Sequence, residues 1–130
     1  MDYSLFYTEL GRLAYAVARA DGIIHSEEVD RICDFIGQEI ENAGSDNKSL
    51  REAIFKSGAE FNRLRNSNAS AREAFTDFTD FIDTNASEID SRLKNLSLRI
   101  AFRVASAYEG VNETESALIE KLKKKLDLIN

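Results

Sequence analysis

The chain has 130 residues, about one domain's worth and enough to bury a substantial core. Hydrophobic residues make up 43% and charged residues 31%, which excludes a disordered chain. Acidic residues outnumber basic ones, 23 against 17, and the net charge of -6 excludes a dedicated nucleic-acid binder, which needs a cationic surface.

Proline is absent, and apolar residues recur at spacings of three and four, so long uninterrupted helices are predicted. Leu10, Leu13, Ala14, Val17 and Ala18 mark one face of a first helix over 3–20, and Val29, Ile32, Cys33 and Ile36 mark a second over 26–42. Cys33 falls on that apolar stripe, so it reads as a packed, unreactive thiol. Gly44 to Asn47 is a loop. Ser49 and Glu52 form a capping-box pattern that opens a third helix to about Arg65. Ser70 and Glu73 repeat the pattern before a fourth helix. That helix carries Phe75, Phe78, Phe81 and Ile82 on one face and Glu73, Asp77, Asp80 and Asp83, read as a solvated stripe, on the other. Asn85 and Glu88 are the next cap pair, ahead of a long fifth helix to about Ala107, and Asn112 with Glu115 caps the last helix. The expected fold is all-α: one compact bundle of six or seven helices spanning 1–130.

Two stretches match at an offset of 87 residues. Ala14, Val17, Ala18, Ala20, Glu28 and Ile32 recur as Ala101, Val104, Ala105, Ala107, Glu115 and Ile119. Leu13, Tyr15, Ile24 and Phe35 recur as Ile100, Phe102, Val111 and Leu122 with their chemistry kept. The expectation is two helix-loop-helix units related by a pseudo-twofold axis, with the remaining helices between them.

The first unit holds the most informative segment, Ala20-Asp21-Gly22-Ile23-Ile24-His25-Ser26-Glu27-Glu28. Gly22 is expected to end the first helix in a conformation open to glycine. Glu28, in the first turn of the next helix, faces free backbone NH groups and the positive end of the helix dipole. Asp21 lies at a helix C-terminus, where a negative charge is disfavoured, so a cation, a basic side chain or hydrogen bonds should compensate it. An EF-hand does not fit. With Asp21, Gly22, Ile24 and Glu28 at loop positions 5, 6, 8 and 12, positions 1 and 3 fall on Val17 and Arg19, which offer no oxygen.

These residues resemble the TerB-like family, named for the tellurite-resistance protein TerB and including the N-terminal part of the DjlA co-chaperones. The pattern is Ala18-x-Ala20-Asp21-Gly22-x-Ile24-x-x-x-Glu28, followed by a degenerate second copy, and the resemblance spans essentially the whole chain. It implies a compact all-α fold, an association with bacterial stress and tellurite resistance, no enzymatic activity, and acidic loop residues that hold a divalent metal, often calcium. Carried over by motif position, the metal candidates are Asp21 and Glu28 from the first repeat and Glu115 from the second. Glu109 is a substitute oxygen donor, because Tyr108 stands where the family has Asp. The competing structural reading makes Glu28 and Glu115 cap residues and pairs Asp21 with an arginine such as Arg19 or Arg103.

The only histidine, His25, falls at a helix N-cap, and no phosphate loop, Cys/His cluster or nucleophile motif is present, so no enzyme is expected. The longest apolar run, Leu13 to Ala18, is far short of the ~20 residues of a membrane span. A single cysteine and the lack of a basic N-terminal region point to the cytoplasm. Lys121, Lys123, Lys124 and Lys125 suit a helix C-terminus, and offer at most a weak peripheral contact with a membrane or acidic partner. The expected role is a protein-interaction component of a stress-response complex. The alternative is a domain that responds to a divalent cation such as calcium.

Overall fold

A computed structural model describes residues 1–20, 22–43, 47–107 and 113–129, and of residues 47, 48 and 113 the backbone only. Six α-helices follow in order: α1 (Tyr3–Ala20), α2 (Ser26–Asn42), α3 (Asn47–Asn66), α4 (Ala71–Thr84), α5 (Ser91–Ala105) and α6 (Glu113–Leu128). A single 3-10 turn, Ala86–Glu88, lies between α4 and α5, and the described residues contain no strand. The all-α reading holds. The two matching stretches fall on α1–α2 and on α5–α6.

The centre of the molecule is α1. From Phe6 to Ala18 only Thr8 and Arg12 escape full burial, because α3, α4 and α5 all pack around this helix. A helix apolar on nearly all sides is stable only when enclosed in this way. Phe6, Leu10, Leu13 and Tyr15 meet Phe61 of α3, Phe78 and Ile82 of α4, and Leu93 and Ile100 of α5 in one core. The approach of α3 is closest at Gly11. A Cβ added there would lie 2.8 Å from the carbonyl carbon of Ser57 and 3.0 Å from its Cα, so only glycine fits.

The chain ends its helices by several devices. Asn68 closes α3 at φ 53°, with Ala69 N–H donating to the Leu64 carbonyl (3.0 Å) and Asn68 N–H to that of Arg65 (3.1 Å). This is the paired-bond stop of a left-handed C-terminal residue, with asparagine in glycine's usual place. Ser70 caps α4 as expected, its Oγ accepting from Glu73 N–H at 3.0 Å.

Three boundaries differ from expectation. Ser49 lies inside the first turn of α3, which begins at Asn47. Asn85 terminates α4 instead of starting α5, its side-chain amide donating to the Phe81 carbonyl at 2.9 Å. The cap of α5 is Asp90, whose Oδ1 accepts from Leu93 N–H at 2.9 Å. An intervening 3-10 turn displaces the start of α5 because Ile89, fully buried, anchors the chain between the two helices. Finally, α5 stops at Ala105, short of the expected Ala107.

Candidate functional site

The motif segment leaves α1 at Ala20. Gly22 has a φ of 131°, which an L side chain rarely adopts, as its place at the helix end predicts. Ile24 turns inward and is buried, and its carbonyl accepts from Arg65 Nε at 3.2 Å, tying the segment to the end of α3. His25 is an exposed extended residue at the N-cap of α2. The Glu28 carboxylate reaches back to the His25 backbone N–H at 3.3 Å, the reciprocal half of a capping box. Glu28 thus serves the helix start, as its position in the sequence indicates. Glu115, its counterpart in α6, is 1% exposed.

Of the other metal candidates, Asp21 and Glu109 lie outside the described residues, as do Tyr108, Gly110 and Asn112. Among the described residues, no three His, Cys, Asp or Glu side chains come together in a way that could hold a metal ion. The wall beside the motif segment is instead cationic. A hollow of about 490 Å³ is lined by Tyr15, Arg19, Ile23, Ile24, Arg65, Asn66 and Asn68.

Three features that the sequence reading missed are buried carboxylates. Glu9 and Glu60 are both nearly inaccessible and share Arg12. Its Nη1 donates to Glu9 at 2.6 and 3.0 Å, and its Nε to Glu60 Oε2 at 3.0 Å, while Arg63 Nε reaches Glu60 Oε1 at 2.6 Å. Burial pushes the Glu9 carboxyl up to about 7 against the pull of Arg12, with Glu60 and Asp77 adding to the rise. Glu60 is also raised by burial, but hydrogen bonds and charge from Arg63 and Arg12 outweigh this and hold it below the usual carboxylate range. The third buried carboxylate is Glu39 of α2, 7% exposed. Its Oε1 meets Arg99 Nε at 3.4 Å, and its Oε2 is without a hydrogen-bond partner among the described residues. A sequence signal existed for all three: each keeps helical spacing with an apolar stripe, Glu9 with Phe6 and Leu13, Glu39 with Ile32 and Ile36, Glu60 with Ala53 and Leu64.

Glu39 opens onto an apolar trough of the surface. A trough of about 490 Å³ runs along α5, with Leu98 and Phe102 as its apolar floor and Arg99, Arg103, Ser106 and, from α6, Lys123 around it. A second hollow of about 140 Å³ shares Glu39 and Arg99 and continues it toward Arg92. Phe102 is 56% exposed, and the Arg103 guanidinium lies 4.4 Å from the centre of the Phe35 ring.

Elsewhere the sequence reading of surface charge stands. Glu73, Asp77, Asp80 and Asp83 are all exposed, and Asp83 pairs with Lys125 at 2.8 Å. Cys33 is a free thiol half-buried against the core, its pKa raised by burial and by Asp30 and Asp34. No helix among the described residues is long and apolar enough to cross a membrane.

These features define an all-helical body in which the motif carboxylate Glu28 is built into the start of α2 and an apolar trough lies on α5, remote in sequence from Glu28. The family model described as Tellurite resistance protein TerB matches residues 8–129. The chain belongs to the TerB family. No curated protein and no solved structure shows a significant match.

Proposed function

We propose that this chain is a non-enzymatic binding module that acts through a protein partner in a bacterial stress response of the tellurite-resistance kind. Family membership supports the stress context. The observation that carries the interaction role is Phe102, a large aromatic side chain held 56% exposed beside Leu98 on a rigid helix, in a trough rimmed by cations. An exposed aromatic flanked by arginine is the composition of an interface centre. The cationic rim does not favour nucleic acid, because the chain's net charge of -6 opposes a polyanion.

The test is complementation. Bacteria lacking the gene should lose tolerance to tellurite and recover it with the wild-type chain. They should not recover it with Phe102→Asp, provided that variant melts like the wild type. Unchanged tolerance on deletion would refute the stress role, and full rescue by Phe102→Asp would refute the interaction surface.

A further inference from the structure

The internal repeat identifies what the α5 trough receives. The same offset of 87 residues places Leu98, Arg99, Phe102 and Ser106 of α5 opposite Gly11, Arg12, Tyr15 and Arg19 of α1. That face of α1 is covered by α3. Gly11 lies against Ser57, and Arg12 is held by Glu60. Tyr15 stacks edge-on against Phe61 with ring centres 5.8 Å apart, and its hydroxyl donates to the Ala69 carbonyl at 2.6 Å. Covered in this way, Tyr15 is 1% exposed and the Arg12 side chain 21% exposed. The equivalent Phe102 and Arg99 stand 56% and 68% exposed. Within the described residues, α5 packs on α1, α2 and α6, and none of these lies over Phe102 in the way α3 lies over Tyr15.

We infer that the trough on α5 binds one amphipathic helix of a partner protein, presenting an adjacent acidic and aromatic residue as α3 presents Glu60 and Phe61. The acid pairs with Arg99, and the aromatic packs on Phe102. Leu98 in place of Gly11 keeps the incoming helix farther off, so contact runs through side chains and not backbone. Charge agrees with this occupant. Arg99, Arg103 and Lys123 surround the trough, with Glu39 the only carboxylate among the described residues that line it, and Lys123 is only loosely engaged by Glu120 at 4.0 Å. Glu39 Oε2, buried and without a hydrogen-bond donor among the described residues, is the acceptor for a polar group of the incoming helix. This carboxylate on the wall, beside the apolar floor, argues against a nucleic-acid strand in the same place.

This inference rests on the interaction role proposed above, and the experiment separates the two. A displayed library of randomised helical peptides is selected against the full chain. The best binders are then titrated by fluorescence anisotropy against wild type, Phe102→Asp, Arg99→Glu and Asp80→Lys, the last on the acidic face of α4. Circular dichroism melts check that each variant is folded. The expected binders carry an acid next to an aromatic residue. They should weaken about tenfold or more with either trough substitution, as interface centres do, and be unaffected by Asp80→Lys. Binding should also fall as salt rises from about 50 to 500 mM. Binders that ignore both trough substitutions would overturn the α5 site and leave the interaction role standing. A library without binders would overturn both. A single-stranded oligonucleotide that displaces the peptides at matched concentration, or a Phe102-dependent dimer of the chain itself, would overturn the assigned partner class.

Discussion

Gly11→Ala is the substitution for which the structure predicts a sign opposite to the usual one. Replacing a glycine inside a helix with alanine ordinarily stabilises it by about 0.5–1 kcal/mol, because glycine has more backbone entropy to lose. At Gly11 the new Cβ would fall 2.8 Å from the Ser57 carbonyl carbon and closer still to its oxygen. Restoring an ordinary carbon–carbon separation of about 3.5 Å requires α3 to retreat by at least roughly 0.7 Å, and the nearer oxygen demands more. The obstacle is backbone, so no side-chain rotation relieves it. The retreat would open the Tyr15–Phe61 contact and lengthen the Arg12–Glu60 bonds, both of which depend on the same approach. Overpacking of this kind costs about 1–3 kcal/mol. With the upper part of that range set against the propensity gain, the net loss is about 2 kcal/mol. For a chain of this length that lowers the melting temperature by roughly 6–10 °C. The assay is thermal unfolding followed by circular dichroism. An unchanged or higher melting temperature would refute the close approach of α1 and α3, and with it the comparison that defines the α5 trough.

Glu9, its carboxyl raised from 4.5 to about 7 by burial, should make stability fall as pH rises between those values, because the folded chain then holds a proton that the unfolded chain releases. Comparing urea unfolding of wild type and Glu9→Gln at pH 4.5 and 8 should show the wild type losing on the order of 1–3 kcal/mol more across the interval; equal slopes would exclude a raised Glu9. Asp90→Ala should cost about 1 kcal/mol through loss of the α5 cap. A thermal melt of the variant tests the placement of this cap, and an unchanged melting temperature would overturn it. Calcium, magnesium, manganese or zinc at millimolar excess over an EDTA-treated sample should shift melting by less than about 2 °C if Glu28 and Glu115 serve helix starts. A shift of roughly 5–12 °C with one ion, abolished by Asp21→Ala, would instead establish a cation-responsive domain.

The parts of the fold that are legible in the sequence are those set by local chemistry. The bounds of α1 and α2, the Ser70 cap, the inward turn of Ile24 and the role of Glu28 all follow from neighbours within about four residues. The start of α5 was misplaced because Asn85-x-x-Glu88 and Asp90 are both plausible caps. Burial of Ile89 between helices, a contact distant in sequence, chooses between them. The α5 trough was hidden for a similar reason. Tyr15 and Phe102 are equivalent in periodicity and chemistry, and neither residue by itself tells which will be covered.

By itself the sequence determined an all-helical chain, the repeat of α1–α2 in α5–α6 and the family to which it belongs. Spacing and capping act over one or two turns, and the repeat needs only comparison of the chain with itself. The tertiary structure alone decided that α3 lies over α1 and leaves the matching face of α5 open. It also decided that Glu9, Glu39 and Glu60 are buried. Burial depends on which helix packs against which, and that choice is made by the shape of the whole core: a glycine at position 11 lets α3 approach α1 closely, where a leucine at 98 holds a helix farther off.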